Sequence, residues 1–179
     1  QRDEGMPDRS LTPITRLEDI PADHRGTPIA RLLEYHNLGR PHESYTQARI
    51  LIGMCMDHRK SLRIPPNFAY ILRDGGANLR ASEFKVSYAI GVGGVRHIAL
   101  IAHDTCGMGN LLRRRDTFVA GMIENAGWDR EAAEEHFAQF APFFEIGNEI
   151  DFVRAEAERL RQRYPRVTGV PMAFQVADK

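Results

Sequence analysis

Cysteine, excess charge and long apolar runs are all scarce in this sequence, and each scarcity excludes something. The 179 residues hold two cysteines, Cys55 and Cys106. A small secreted scaffold stapled by disulfides would need more. Two thiols in an otherwise ordinary composition point to a reducing compartment, hence a cytoplasmic protein, and to metal binding or catalysis as their use. Neither sign of charge dominates, since 24 Lys and Arg balance 24 Asp and Glu. No nucleic-acid partner is expected, because binders of a polyanion carry a clear basic surplus. The run Arg113-Arg114-Arg115 reads as a solvated helix face. No stretch approaches the ~20 apolar residues that span a bilayer, so no membrane partner is expected either. The polar, proline-bearing start does not read as a signal peptide.

What is present divides in two. Residues 1–28 read as an irregular N-terminal arm, with Pro7, Pro13, Pro21 and Pro28 among many charges. Residues 29–179 read as one α/β domain. A short helix is expected from Ile29 to Leu38, closed by Gly39 and Pro41. Apolar runs at 48–55, 68–72 and 97–103 read as strands, and 167–176 as a last one. Helices are expected at 82–91, about 107–125 and 130–141. The final helix has the clearest period: Ile146, Ile150, Val153, Ala157, Leu160 and Tyr164 on one face, with Glu149, Arg154, Glu156 and Arg161 turned away, until Pro165 stops it. The glycines of Gly91-Val92-Gly93-Gly94 precede a strand, so they terminate a helix rather than cradle a phosphate.

Strands that alternate with helices and read as buried on both faces predict a largely parallel sheet flanked by helices. Ligands of such sheets bind beyond the carboxyl ends of the strands. Two strand ends here carry unusual chemistry. One is Cys55-Met56-Asp57-His58-Arg59 and the other is His103-Asp104-Thr105-Cys106-Gly107. Thiolate and imidazole are donors that suit Zn²⁺, and three protein donors leave a fourth position open, as in catalytic zinc sites. Two thiolates make a modest Lewis acid, so a helper is needed. Asp57, two residues after Cys55, can accept a hydrogen bond from water at the metal, and Arg59 can hold the aspartate ionised.

Cys55-x-Asp57-x-Arg59 followed by His103-x-x-Cys106-Gly107-Met108 resembles the β-class carbonic anhydrases, over about residues 29–176. The resemblance implies one Zn²⁺ per chain on Cys55, His103 and Cys106, with Asp57 and Arg59 as an orienting dyad. It implies zinc-bound hydroxide that hydrates CO₂ reversibly to bicarbonate and a proton. It also implies a homodimer or higher homo-oligomer, with the arm and leading helix packed on a partner. Gly75 and Gly76 either let the backbone approach closely, so that an amide contacts bicarbonate, or simply make a tight turn. Three departures stand out. The segment from Arg59 to Arg73, with Pro65-Pro66, is shortened; Asp104-Thr105 reverses the usual order; and Asp74 and Gly75 replace Asn and Ala. On the same zinc site, hydrolysis of carbonyl sulfide or carbon disulfide is the alternative. A catalytically weak zinc-binding homologue and a Cys55–Cys106 redox pair are further ones. His36, His42, His58 and His97 are candidate proton shuttles.

Overall fold

The structure, a computed structural model, describes residues 11–175. Four parallel strands form its sheet: β1 (Ile50–Met54), β2 (Ala69–Arg73), β3 (His97–His103) and β4 (Thr168–Phe174), in the spatial order β2-β1-β3-β4. Its α-helices are α1 (Pro28–Asn37), α2 (Glu83–Gly91), α3 (Arg115–Ala126), α4 (Arg130–Phe144) and α5 (Glu149–Arg163). The expected α/β class with a parallel sheet is therefore what the chain adopts.

Alternation along the strands builds two cores. In β1, Ile50, Ile52 and Met54 point to one face and pack with Ile29, Leu32 and Tyr35 of α1. Leu51 points to the other and joins Val86 of α2 with Val153, Ala157 and Leu160 of α5. In β3, Ala99 and Ile101 join the first core, while Ile98, Leu100 and Ala102 join the second. The two central strands are buried on both sides, which is why their sequences read as unbroken apolar runs. β2 departs from that expectation. It is an edge strand, and Tyr70 and Ile71 are exposed despite their apolar character.

The arm is partly ordered onto its own chain. Single 3₁₀ turns at Leu17–Asp19 and Ala22–His24 flank the buried Ile20, and Asn37 Nδ2 donates to the Ile14 carbonyl. Residues 1–10 lie outside the described residues. The helix expected at about 107–125 starts later: residues 107–110 are turn, a 3₁₀ turn spans Leu111–Arg114, and α3 follows. Arg113, Arg114 and Arg115 are exposed, as expected. α2 ends at Gly91, and Gly94 takes a φ of +72° in the terminating turn.

Helix α5 holds a correction. Glu156 does not face solvent; it is 1% exposed. Its Oε2 accepts from the Leu79 amide at 3.2 Å, and its Oε1 is engaged by Arg159, which also bonds Glu83. Polarity placed this residue outside, but a carboxylate whose oxygens find an amide and a guanidinium can be buried. Removing it would leave the Leu79 amide without its acceptor and Arg159 without its inner partner. Glu156→Ala is therefore expected to cost about 3 kcal/mol. Denaturant unfolding of the zinc-free protein checks this; an unchanged midpoint would refute the buried role.

Candidate metal centre

Parallel pairing sets Met54 opposite both Arg73 and Ile101, so β1 and β3 end along one edge of the sheet. Cys55 follows β1 directly, His103 is the last residue of β3, and Cys106 lies on the turn just beyond. All three side chains are buried, and their donor atoms lie within 4.8 Å of one another. The three predicted ligands are thus brought together and can hold one metal ion.

The geometry favours a metal over a disulfide. The two Sγ atoms are 3.8 Å apart and both cysteines are free. Two sulfurs bound tetrahedrally at ~2.3 Å would sit about 3.8 Å apart, whereas a disulfide needs about 2.05 Å. His103 completes the set. Its Nδ1 lies 2.7 Å from the Asp104 carbonyl, a contact that assigns the N–H to Nδ1. Nε2 then carries the lone pair, and it is buried with no hydrogen-bond partner. A buried polar atom without a partner is costly. A cation held between the three donors would satisfy it, with the Asp104 carbonyl fixing ring and tautomer from behind.

The thiols are set unequally. Cys55 is pulled well below the usual thiol range, first by the Cys106 thiol that hydrogen-bonds it, then by the amides of Asp57 and Gly76 and by His103. Cys106 is pushed up, because the Cys55 sulfur beside it keeps its proton in place. A divalent cation, taking both as thiolates, would displace that proton.

Of the two glycines, Gly76 serves the Cys55 sulfur in this structure. The Gly76 amide donates to Cys55 Sγ at 3.3 Å, from a backbone with φ +64° that favours glycine. A Cβ on Gly76 would come within 2.5 Å of Ile146 Cδ1, and one on Gly75 within 2.7 Å of Met108 Cγ.

Asp57 and Arg59 form the expected pair. Asp57 Oδ2 accepts from Arg59 Nε at 2.7 Å and lies 2.6 Å from Nη2, while Oδ1 accepts from the Arg59 amide at 3.0 Å. These bonds from Arg59 hold the Asp57 carboxyl below its ordinary range, so it stays ionised. Arg59 reaches further: Nη1 donates to Thr105 Oγ1 at 3.1 Å and Nη2 to the Thr105 carbonyl at 3.0 Å. One guanidinium therefore ties the turn after Cys55 to the turn between His103 and Cys106. Thr105 sits at φ +55°, a strained value for a β-branched residue, and needs such a grip.

Met54, Lys60, Ile101 and Phe174 close around Cys55, Asp57, Arg59 and His103. The cleft has a volume of about 10 Å³, on the order of one water. A larger groove of about 620 Å³ shares Lys60, Ile101 and Phe174 with it and runs along α1 and β4. Lys60 and Phe174 carried no signal in the sequence. Of the shuttle candidates, His97 is excluded by position: it opens β3 while His103 closes it, about 20 Å away. His36 Nδ1 accepts from the Arg63 amide at 3.0 Å, and its ring packs on Phe174 at 5.0 Å. Burial, and then the charge of Lys60, lower its pKa. His42 packs edge-on against Tyr35, and His58 is exposed.

The sequence matches no protein-family model and no curated protein sequence. Solved structures do match over most of the chain. The β-carbonic anhydrase isoform I of Trichomonas vaginalis superposes with a TM-score of 0.60 at 17% identity, covering 82% of this chain and 87% of its own. A carbonic anhydrase from Glaciozyma antarctica gives 0.57 at 18% identity, over 88% of this chain and 95% of that one. A carbon disulfide hydrolase in its apo form gives 0.52 at 19% identity, over 83% of each chain. This chain has the β-carbonic anhydrase fold, with a donor set for one metal ion at the carboxyl ends of β1 and β3.

Proposed function

We propose that this protein, having that fold and that donor set, is a β-class carbonic anhydrase that interconverts CO₂ and bicarbonate with zinc. One observation carries the reading. Two sulfurs at tetrahedral spacing and a partnerless imidazole nitrogen meet at the open edge of the sheet, beside a carboxylate kept ionised by Arg59. When bound, zinc supplies the Lewis acidity that lowers the pKa of water towards about 7. The chain's residues do the rest. Cys55, His103 and Cys106 hold the ion and leave a corner free. Ionised Asp57 can only accept hydrogen bonds, so it orients the O–H of a water and turns a lone pair towards the cleft. Met54, Ile101 and Phe174 make the cleft walls apolar, which suits an uncharged linear substrate. In the balanced reaction, CO₂ and water give bicarbonate and a proton. Gly75 and Gly76 stay proposed as the backbone near bicarbonate.

The carbon disulfide hydrolase among the similar folds supports a second reading, in which carbon disulfide or carbonyl sulfide is the substrate. Both are linear with an electrophilic carbon, so rates decide. CO₂ hydration across pH, with zinc measured on the same sample, is expected to show about one zinc per chain and turnover that rises with pH. Faster turnover of carbonyl sulfide or carbon disulfide on the same preparation would move the assignment to the second reading. Full zinc with no turnover at any pH would leave a zinc-binding homologue.

The same proposal includes assembly and place. Exposed Tyr70 and Ile71 on the β2 edge, and the open groove along α1 and β4, support a homodimer or larger homo-oligomer. Light scattering on that preparation should give the mass of at least two chains. Among the described residues no helix is long and apolar enough to cross a membrane. Two free thiols that must stay reduced to bind zinc suit the cytoplasm.

A further inference from the structure

The sequence period of α5 turned Glu149 towards solvent, yet its carboxylate is half-buried and Oε1 accepts from the Cys106 amide at 3.1 Å. We propose that Glu149 is a positioning residue for the metal centre: through that hydrogen bond it fixes the backbone of Cys106, and with it the sulfur, where a metal ion requires it. The inference rests on the metal-binding reading above.

Three features support it. The first is the turn that Glu149 grips. Thr105, immediately before Cys106, is a β-branched residue at φ +55°, a conformation that persists only where its surroundings impose it. Arg59 grips Thr105 from one side through its hydroxyl and carbonyl. Glu149 grips the next amide from the other side. Between them they leave the turn from His103 to Cys106 little freedom.

The second is that Glu149 is itself rigidly placed. It is the first residue of α5, where a carboxylate is favoured by the helix dipole. Asn148 caps the helix, its Oδ1 accepting from the amides of Ile150 and Asp151 at 3.0 Å. The preceding segment is bonded to the chain just after the metal turn. The Ile146 amide donates to the Met108 carbonyl at 3.2 Å, and Glu145 accepts from the Leu112 amide at 3.3 Å and from the Gly147 amide at 2.9 Å. A carboxylate so braced can impose a position rather than follow one.

The third is that α5 braces the other half of the site in the same way. Glu156, two turns on, accepts from the Leu79 amide, at the end of the loop whose Gly76 amide donates to Cys55 Sγ. The helix thus presents two carboxylates inward, each taking one backbone amide from one side of the donor set. Outer groups that orient metal ligands typically alter metal affinity 10–100-fold when removed.

The test compares zinc affinity, by chelator competition, in the full chain and in two variants. Glu149→Ala removes the acceptor. Glu149→Gln keeps an oxygen acceptor and removes the charge. Glu149→Ala is expected to bind zinc about tenfold or more weakly, whereas Glu149→Gln should stay within about threefold of the parent. Cobalt substitution gives a second readout: the thiolate-to-cobalt absorption should shift in the alanine variant and be restored in the glutamine variant. If the alanine variant does not fold, Glu149→Asp, one methylene too short, takes its place with the same expectation. Parental zinc affinity in the alanine or aspartate variant would overturn the proposal. So would a glutamine variant as weak as alanine, since the charge and not the hydrogen bond would then matter. A parent chain that binds no zinc would remove the metal reading itself, and with it this role for Glu149.

Discussion

Cys106→Ala is expected to abolish stoichiometric zinc and CO₂ hydration together. The substitution leaves two donors, Cys55 Sγ and His103 Nε2, where the structure brings three within 4.8 Å. Two ligands from adjacent strand ends cannot define a tetrahedral site against water and chelators. The loss should be one of metal and not of fold. Cys106 is buried beside Ile146 and Met108, and deleting its sulfur removes little apolar surface, about 1 kcal/mol. Metal analysis of the purified variant, with its thermal unfolding measured alongside, separates the two. A folded variant that still carries one zinc per chain would remove Cys106 from the ligand set. The same measurement on the parent bears on the redox alternative. Thiols 3.8 Å apart must approach by nearly half that distance to bond, so freshly purified protein should carry zinc and two reduced cysteines.

The reach of the sequence was uneven, for physical reasons. β1 and β3 were legible because central strands of a parallel sheet must be apolar on both faces, and their ends carry Cys55 and His103. Cys106 followed from ligand spacing, and Arg59 from its distance to Asp57. β2 misled, because Phe68 to Leu72 is as apolar as a central strand while the fold puts it at the edge. α5 misled in the opposite sense. Its apolar stripe is real, but Glu149 and Glu156 stand one position before Ile150 and Ala157, on the flank of that stripe. A period built on polarity assigns such residues to water. Nothing in it registers that an inward carboxylate can be satisfied by a backbone amide of a distant loop. The flank position was the available signal. Phe174 and Lys60 left none, because they meet the site only through the pairing of β3 with β4 and the path of the loop after Arg59. The glycines were legible as a close approach of backbone, but that the Gly76 amide reaches a ligand sulfur is something no spacing rule identifies.

Asp57→Asn should do the reverse of Cys106→Ala: zinc stays and turnover goes. The side chains are nearly the same size, and none of the three metal donors bonds Asp57 through its carboxylate. What changes is hydrogen-bonding capacity. The aspartate offers acceptors on both oxygens, and Arg59 uses each of them. An asparagine must set its NH₂ either against the Arg59 guanidinium, donor against donor, or towards the cleft, where it would donate to a water that has to be held by an acceptor. Either way the water is misoriented for attack. Positioned groups of this kind contribute about 10²–10⁴ in rate, so kcat/KM is expected to fall at least about 100-fold at unchanged zinc content. The pair is partly exposed, and exposed ion pairs add little to stability, so the unfolding transition should hardly move. Arg59→Lys gives the complementary case. Lysine keeps a charge near Asp57 but cannot span Asp57 and both Thr105 oxygens as the planar guanidinium does. It should lose activity less than Asp57→Asn while loosening the turn before Cys106. An Asp57→Asn enzyme with full activity would take the dyad out of the mechanism. One that loses zinc as well as turnover would make Asp57 a structural part of the metal centre instead.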